Sequence, residues 1–369
     1  MNRRDFLINT GLAAAGLSHR QVLADTDARP GTIRAWEVGA RKGFASLRLV
    51  DRPMPVAGRG EALIEVHTSS LNARDRAIVG GPYPPDVAAN RVPLSDGVGR
   101  VVAVGDEVTQ VRVGDRVISA HFIDWLSGPW RQAYVHNDVG NSVDGWLTEF
   151  TVLPAKCLVR IPDSVSDQTA CTLPVAGATV WNALYEMTTV KPDDIVLSLG
   201  TGGVSSWGLK LAKLAGATVV ITSSSDAKLE RMRALGADIG INYKTNPDWG
   251  KRVLDLTDGH GADIILENVG RPTLDQSMQA AATNATIIII GAGAPPKRLP
   301  TLNGLLMKNL TVKGITNASR SMLVDLVNAV ASNRIEAVVD KVFDFDHAVE
   351  AFQFMAKSSH IGKVVIRHK

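Results

Sequence analysis

The sequence predicts a mixed α/β protein in which a β-rich part is joined to a doubly wound parallel sheet. Three observations lead there. A glycine-rich turn, Gly200-Thr201-Gly202-Gly203-Val204-Ser205, follows the apolar run 195–199 and precedes a helical pattern. Between 178 and 316, short apolar strands alternate with helical stretches. From 32 to about 154, short strands are punctuated by Gly and Pro with no sustained helical period.

The glycine turn is the organising element. Strand, glycine-rich turn and helix in that order make a dinucleotide fingerprint. Glycine allows a tight turn and a close approach to a pyrophosphate. The N–H groups and dipole of the following helix then hold negative charge. The last fingerprint position is Ser205, still small enough for close helix–strand packing. Trp207, Leu211 and Leu214 mark the apolar face of that helix. By itself the motif also fits a simple tight turn; the segments that follow it favour the nucleotide reading.

The chain has 369 residues, enough for two domains, with 45% hydrophobic and 21% charged residues and a net charge of +3. This composition fits a globular protein with a full core. The charge is too small to argue for a nucleic-acid partner. Cys157 and Cys171 are the two cysteines, which excludes a four-cysteine metal lobe. No apolar run is long enough to span a membrane.

In chain order, Arg3-Arg4 stand before Phe6-Leu7 and a mildly apolar stretch to Leu17, with Ser18-His19-Arg20 and then Val22-Leu23-Ala24. This resembles a twin-arginine export signal over residues 1–24, cleaved after Ala24, and implies a periplasmic location. A cytoplasmic extension with a chance Arg pair is the alternative. Alternation predicts strands at 32–36 and 62–67, followed by strands at 98–104 and 116–119. The stretch 121–146 has no clear period and carries Trp125, Trp130 and Trp146, which suits a loop over a cleft or core packing. A helix over 179–187 leads into strands at 195–199, 218–222, 239–243, 263–267, 286–290 and 310–315. Helices at 226–235, 249–257 and 273–282 separate most of them. Strands alternating with helices mean a parallel sheet with right-handed crossovers, a Rossmann domain. Beyond it, helices at 321–333 and 347–357 alternate with strands at 339–345 and 363–367, which return to the β-rich part.

Several segments together resemble the medium-chain dehydrogenase/reductase superfamily. They are Leu71-Asn72-Ala73-Arg74-Asp75, Pro93 to Gly99, Val113 to Val117, Leu173 to Thr179, Gly200 to Ser205 and Ser359 to Val365. They look most like its zinc-free alcohol dehydrogenase-like branch, near the quinone oxidoreductases. The resemblance implies a GroES-like catalytic domain over 30–177 and 318–369 and a Rossmann domain over 178–317. Zinc-dependent members carry an early cysteine and a Gly-His-Glu block. Here those positions fall near Asn72 to Asp75 and at Leu94-Ser95-Asp96, and the third ligand region reads Val175-Ala176-Gly177. With the His and Cys ligands replaced, no zinc is expected.

The cofactor expected is NADP(H), with NAD(H) as the alternative. An NAD enzyme usually places an acid at the end of the second strand, for the ribose 2′-hydroxyl. That strand ends here in Thr222-Ser223-Ser224-Ser225, with Lys228 and Arg231 in the next helix and Tyr243 ending the third strand. Hydroxyls and cations suit a 2′-phosphate. A solvated helix face is the competing reading of Lys228 and Arg231. The cofactor-binding set is thus Gly200, Gly202, Gly203, Val204, Ser223, Ser224, Lys228 and Tyr243. The resemblance adds Thr179, Gly270, Gly291 and Ala292 near the nicotinamide.

Without zinc, charge building on an acceptor oxygen needs hydrogen-bond donors or the acceptor's own conjugation. An enone or quinone therefore suits the site, with a simple alcohol second and a non-catalytic NADP(H)-binding redox sensor third. The resemblance makes Asn72 the cleft donor, with Asp75 orienting its neighbours. Tyr83 is a candidate proton donor, and Ser95 and Asp96 lie where zinc ligands would converge. Against these stand plainer roles: a turn cap for Asn72, a Pro-rich loop for Tyr83 and a turn for Ser95-Asp96. His67 and His121 read as isolated packing or surface histidines. The strand at 310–315 lies at a sheet edge, and the resemblance implies a homodimer through it.

Overall fold

The computed structural model describes residues 31–369 apart from 82, 84–86, 295–299 and 302. The segment read as an export signal lies outside the described residues.

Among the described residues, seven strands precede the parallel sheet: β1 (Thr32–Glu37), β2 (Arg48–Pro53), β3 (Glu61–Ser70), β4 (Asp96–Val104), β5 (Arg116–Ser119), β6 (Phe150–Pro154) and β7 (Leu158–Arg160). Six strands form the parallel sheet: β8 (Ile195–Leu199), β9 (Thr218–Ser223), β10 (Ile239–Asn242), β11 (Ala262–Glu267), β12 (Ala281–Ile289) and β13 (Thr311–Gly314). The chain closes with β14 (Val339–Asp344) and β15 (Lys363–Arg367).

The parallel sheet has the order β10-β9-β8-β11-β12-β13. Its order reverses between β8 and β11, which opens a crevice at the carboxyl ends of these strands. The strands are buried from both sides, so they read as continuous apolar runs: Val196, Leu197, Val219, Val220, Ile265 and Leu266 are fully buried. The second large sheet runs β14-β15-β3-β4-β5-β7, with β6 also on β3. Strand β15 pairs antiparallel with β3 through Val365 and Ser70, which brings the C-terminal segment beside the first one.

The differences from the expected elements have local causes. The helix expected over 179–187 begins at Leu173, with wide turns at Leu173–Gly177 and Asn182–Glu186 around Ala178–Trp181. Pro174 sits in its first turn, where a missing N–H costs nothing. The helix expected to end at 282 ends at Ala280, and the chain passes directly into β12. Helix Ala73–Gly80 and strand β2 are not legible as periodic patterns; the helix is short and its apolar residues Ala77, Ile78 and Val79 are consecutive, with no helical spacing.

Tryptophans of the 121–146 stretch pack inward instead of lidding a cleft. Trp146 is fully buried against Gly97, where a Cβ would come within 2.4 Å of its ring. Trp125 is buried beside Trp130 and Tyr134. Trp207 and Leu211 are buried as expected, but Leu214 is 39% exposed. Cys157 and Cys171 are separate buried thiols.

Candidate active site

The crevice between the sheets is a cleft of about 440 Å³. Its wall brings together Asn72, Gly200, Gly202, Gly203, Val204, Ser223, Ser224, Lys228 and Tyr243, all expected from the sequence. Helix Gly203–Leu214 opens at this wall with no side chain capping its N-terminus. The N–H groups of its first turn have no intrahelical acceptor and face any anion placed there. Gly200 has φ +85°, a conformation that favours glycine. A Cβ on Gly200 or Gly202 would meet nothing within 4 Å, so the space over the turn is free for a bound group. These features fit a dinucleotide's pyrophosphate.

The strand-end residues are held by their neighbours. Ser225 caps helix Asp226–Ala234 by accepting from Lys228 N–H. Asp226 accepts from Asn242 Nδ2 and so is engaged outside the cleft wall. Lys228 lines the cleft and donates to the Ser358 carbonyl at 2.5 Å. Its pKa is lowered, mainly by burial. Arg231, by contrast, is paired with Asp340 at 2.8 Å and does not line the cleft.

The C-terminal segment crosses the glycine turn. Gly362 N–H donates to the Thr201 carbonyl at 2.8 Å, and Gly202 and Gly362 form a parallel bridge. Lys363 then reaches Asn72: its Nζ donates to Asn72 Oδ1 at 2.6 Å and to Asp96 Oδ2 at 3.0 Å. Asn72 Nδ2 donates to the same Asp96 oxygen at 2.8 Å. Both Lys363 and Asn72 line the cleft.

Other expected residues are placed differently. Asp96 is fully buried behind Asn72, and it also accepts from Ser70 Oγ and Val175 N–H. With four donors satisfied, it anchors three segments and is not at the cleft wall. Asp75 accepts from Asn72 N–H at 2.7 Å, tying down the start of helix Ala73–Gly80, while its other oxygen is buried without a partner. Burial pushes its pKa up to about 7, against the pull of Arg74.

Tyr83 lies outside the cleft wall. Its hydroxyl accepts from Arg74 Nε at 3.2 Å and its ring lies under the guanidinium, away from the cleft wall. Ser95 is also buried and accepts from Arg74. Thr179 donates to Asn317 Oδ1 inside the protein. Gly270, Gly291 and Ala292 do not line the cleft; Gly270 and Gly291 are pressed together, with 2.2 Å from a Cβ on Gly270 to the Gly291 carbonyl oxygen. From that turn, Val269 reaches the wall.

Sequence reasoning passed over two basic groups. Lys363 interrupts the apolar run Ile361 to Ile366, and a charge in a buried strand signals a partner. Arg74 gathers Asp138 at 2.5 Å, with His121 and Ser95 beside it. His121 is therefore not isolated: it also meets Asp138 at 2.8 Å and Asn317, and burial lowers its pKa. His67 is paired with Asp167 at 3.2 Å.

Fold and cleft together define a two-sheet dinucleotide enzyme of the dehydrogenase kind. The family descriptions "Alcohol dehydrogenase GroES-like domain" and "Zinc-binding dehydrogenase" match residues 58–163 and 203–332. A zinc-type alcohol dehydrogenase-like protein of Schizosaccharomyces pombe is 39% identical, with 88% of this chain and 96% of that protein covered. A Sinorhizobium meliloti 1021 protein solved as an alcohol dehydrogenase candidate is 38% identical, with TM-score 0.85 over 92% of this chain and all (100%) of that one. A solved NAD-dependent alcohol dehydrogenase is 31% identical, with TM-score 0.83 over 91% and 100%. The chain belongs to the medium-chain dehydrogenase/reductase superfamily and is an oxidoreductase of a family that uses NAD(P).

Proposed function

We propose that the protein is a zinc-independent, NADP(H)-dependent reductase of quinones or α,β-unsaturated carbonyls. The observation that carries this reading is the state of the regions where metal ligands would stand: the third, Val175-Ala176-Gly177, has no ligating side chain, and the side chains of the other two hold cations. Asn72 and Asp96 hold the Lys363 ammonium, and Ser95 holds the Arg74 guanidinium. Two cations beside these oxygens do not fit a bound dication, and Asn, Ser and a single carboxylate are a poor zinc donor set. A conjugated acceptor spreads developing charge over its own π system and needs only hydrogen-bond donors.

The nicotinamide, when bound, supplies hydride. This chain's residues would bind and orient it: the helix start at Gly203 would take the pyrophosphate, and Ser223, Ser224, Lys228 and Tyr243 would hold the 2′-phosphate. Asn72 faces the acceptor. An NAD-dependent alcohol dehydrogenase is the second reading, favoured by the named activity of a solved relative. Titration with NADPH and NADH, then a screen of quinones, enones and alcohols with chelator present, tests both. NADPH preference with chelator-resistant turnover of a conjugated carbonyl is expected. NADH preference overturns the phosphate assignment, and chelator-sensitive alcohol turnover overturns the rest. NADPH binding without turnover of any acceptor points to the redox sensor.

The exposed Leu306, Met307 and Val312 lie on or beside the edge strand β13 and support a homodimer through that edge. Sedimentation at micromolar concentration tests it, and a monomer alone refutes it. Export rests on Arg3-Arg4 and the Ala24 site; recovery of the full chain from the cytoplasmic fraction alone overturns it. No helix among the described residues is long and apolar enough to cross a membrane.

A further inference from the structure

We propose that Lys363 is a catalytic residue: its ammonium is the donor that stabilises negative charge on the acceptor oxygen. This deepens the carbonyl-reductase reading and rests on it for the identity of the acceptor.

Four observations carry the assignment. Lys363 lines the cleft beside Asn72, although its side chain is only 2% exposed. Its stem passes directly over the helix start: a Cβ on Gly203 would come within 2.6 Å of Lys363 Cδ. Nζ is fixed by two acceptors, Asn72 Oδ1 and Asp96 Oδ2. An ammonium has three N–H donors, so one remains without an acceptor among the described residues.

A purely structural lysine would be better served elsewhere. Burying an ammonium is costly, and its Asp96 partner already has three other donors. The arrangement instead holds a positive charge at the cleft wall with no reorganisation needed, which is what oxyanion stabilisation requires. Asn72 sets the direction of the ammonium, and Asp96 holds both of them. The acceptor oxygen receives a hydrogen bond from the third N–H as charge develops on it; no proton need leave the lysine.

The test uses the full chain loaded with NADP⁺ and 4-nitrophenol as a coloured oxyanion probe. Lys363→Met is compared with Lys363→Arg and with the double variant Lys363→Met/Asp96→Asn, which removes the buried pair together and guards against unfolding of the single variant. In the wild type the bound phenol should ionise about one pH unit or more below its free value, and in both Met variants that shift should vanish. Turnover of the best acceptor should fall ~100-fold in the Met variants, with NADPH affinity changed less than about threefold, and Arg should restore part of it.

An unshifted probe in the wild type overturns the proposal, as does a shift that survives in the folded double variant. Loss of NADPH binding in parallel with turnover also overturns it, because it makes Lys363 a cofactor-holding group. A probe shift that depends on Lys363 in an enzyme that turns over only alcohols leaves the assignment standing and refutes the carbonyl-reductase reading instead.

Discussion

The Lys363 side chain fills the space beside Gly203 that a larger residue would need. The glycine opens the helix at the cleft, and the lysine stem crosses the spot where a Cβ would project, 2.6 Å from Cδ. Gly202, one residue earlier, faces open cleft. The two glycines therefore separate the nucleotide from the catalytic group. Gly202→Ala should fold within about 1 kcal/mol of wild type, because its φ of −80° suits any residue. Its methyl group should weaken NADPH binding at least about tenfold. Gly203→Ala should displace Lys363 and lose about 1–3 kcal/mol of stability, as overpacking does. Thermal melts and fluorescence titration of both variants check the pair.

Asn72→Ala removes an acceptor from Lys363 and a donor from Asp96. Turnover should fall by about 10²-fold, the usual cost of one preorganised donor. NADPH affinity should hold within about threefold, which separates it from a binding defect. Steady-state kinetics beside a direct binding titration reads both. Unchanged turnover removes Asn72 from the site.

In the NADP(H) reading Lys228 holds the 2′-phosphate; in the structure it holds the Ser358 carbonyl. Lys228→Ala should weaken NADPH binding by roughly tenfold to a hundredfold, the worth of a charge-assisted hydrogen bond. NADH binding should be nearly unaffected. Equal losses for both nucleotides would assign Lys228 to holding the C-terminal segment instead.

Asp75 makes stability depend on pH with a definite sign. Its folded pKa is raised from 3.8 to about 7 by burial. Between these values the folded state holds a proton that the unfolded state has lost, so stability from this group falls as pH rises from about 4 to about 7. Asp75→Asn keeps an oxygen acceptor for Asn72 N–H and puts an uncharged amide N–H₂ at the unpartnered position. The variant should gain on wild type as pH rises, and be more stable at pH 8 by about 1 kcal/mol or more. Denaturant midpoints at pH 5, 6.5 and 8 measure it; parallel curves for the two proteins reject the assignment.

The sequence by itself determined the parallel sheet, its glycine turn and the polar end of its second strand. Those features are local: a buried strand must be apolar along a short run, and a pyrophosphate turn must have glycine at set spacings. Gly200, Gly202, Ser223 and Lys228 follow from such spacings and do line the cleft. Only the tertiary structure decided the catalytic end. Lys363 and Asn72 are 291 residues apart and meet because β15 returns beside β3. Tyr83 and Ser95 looked like site residues by position, but Arg74 draws both into a buried charge network with Asp138 and His121. Which buried charge finds which partner depends on packing between distant segments, and no periodicity in the chain encodes it.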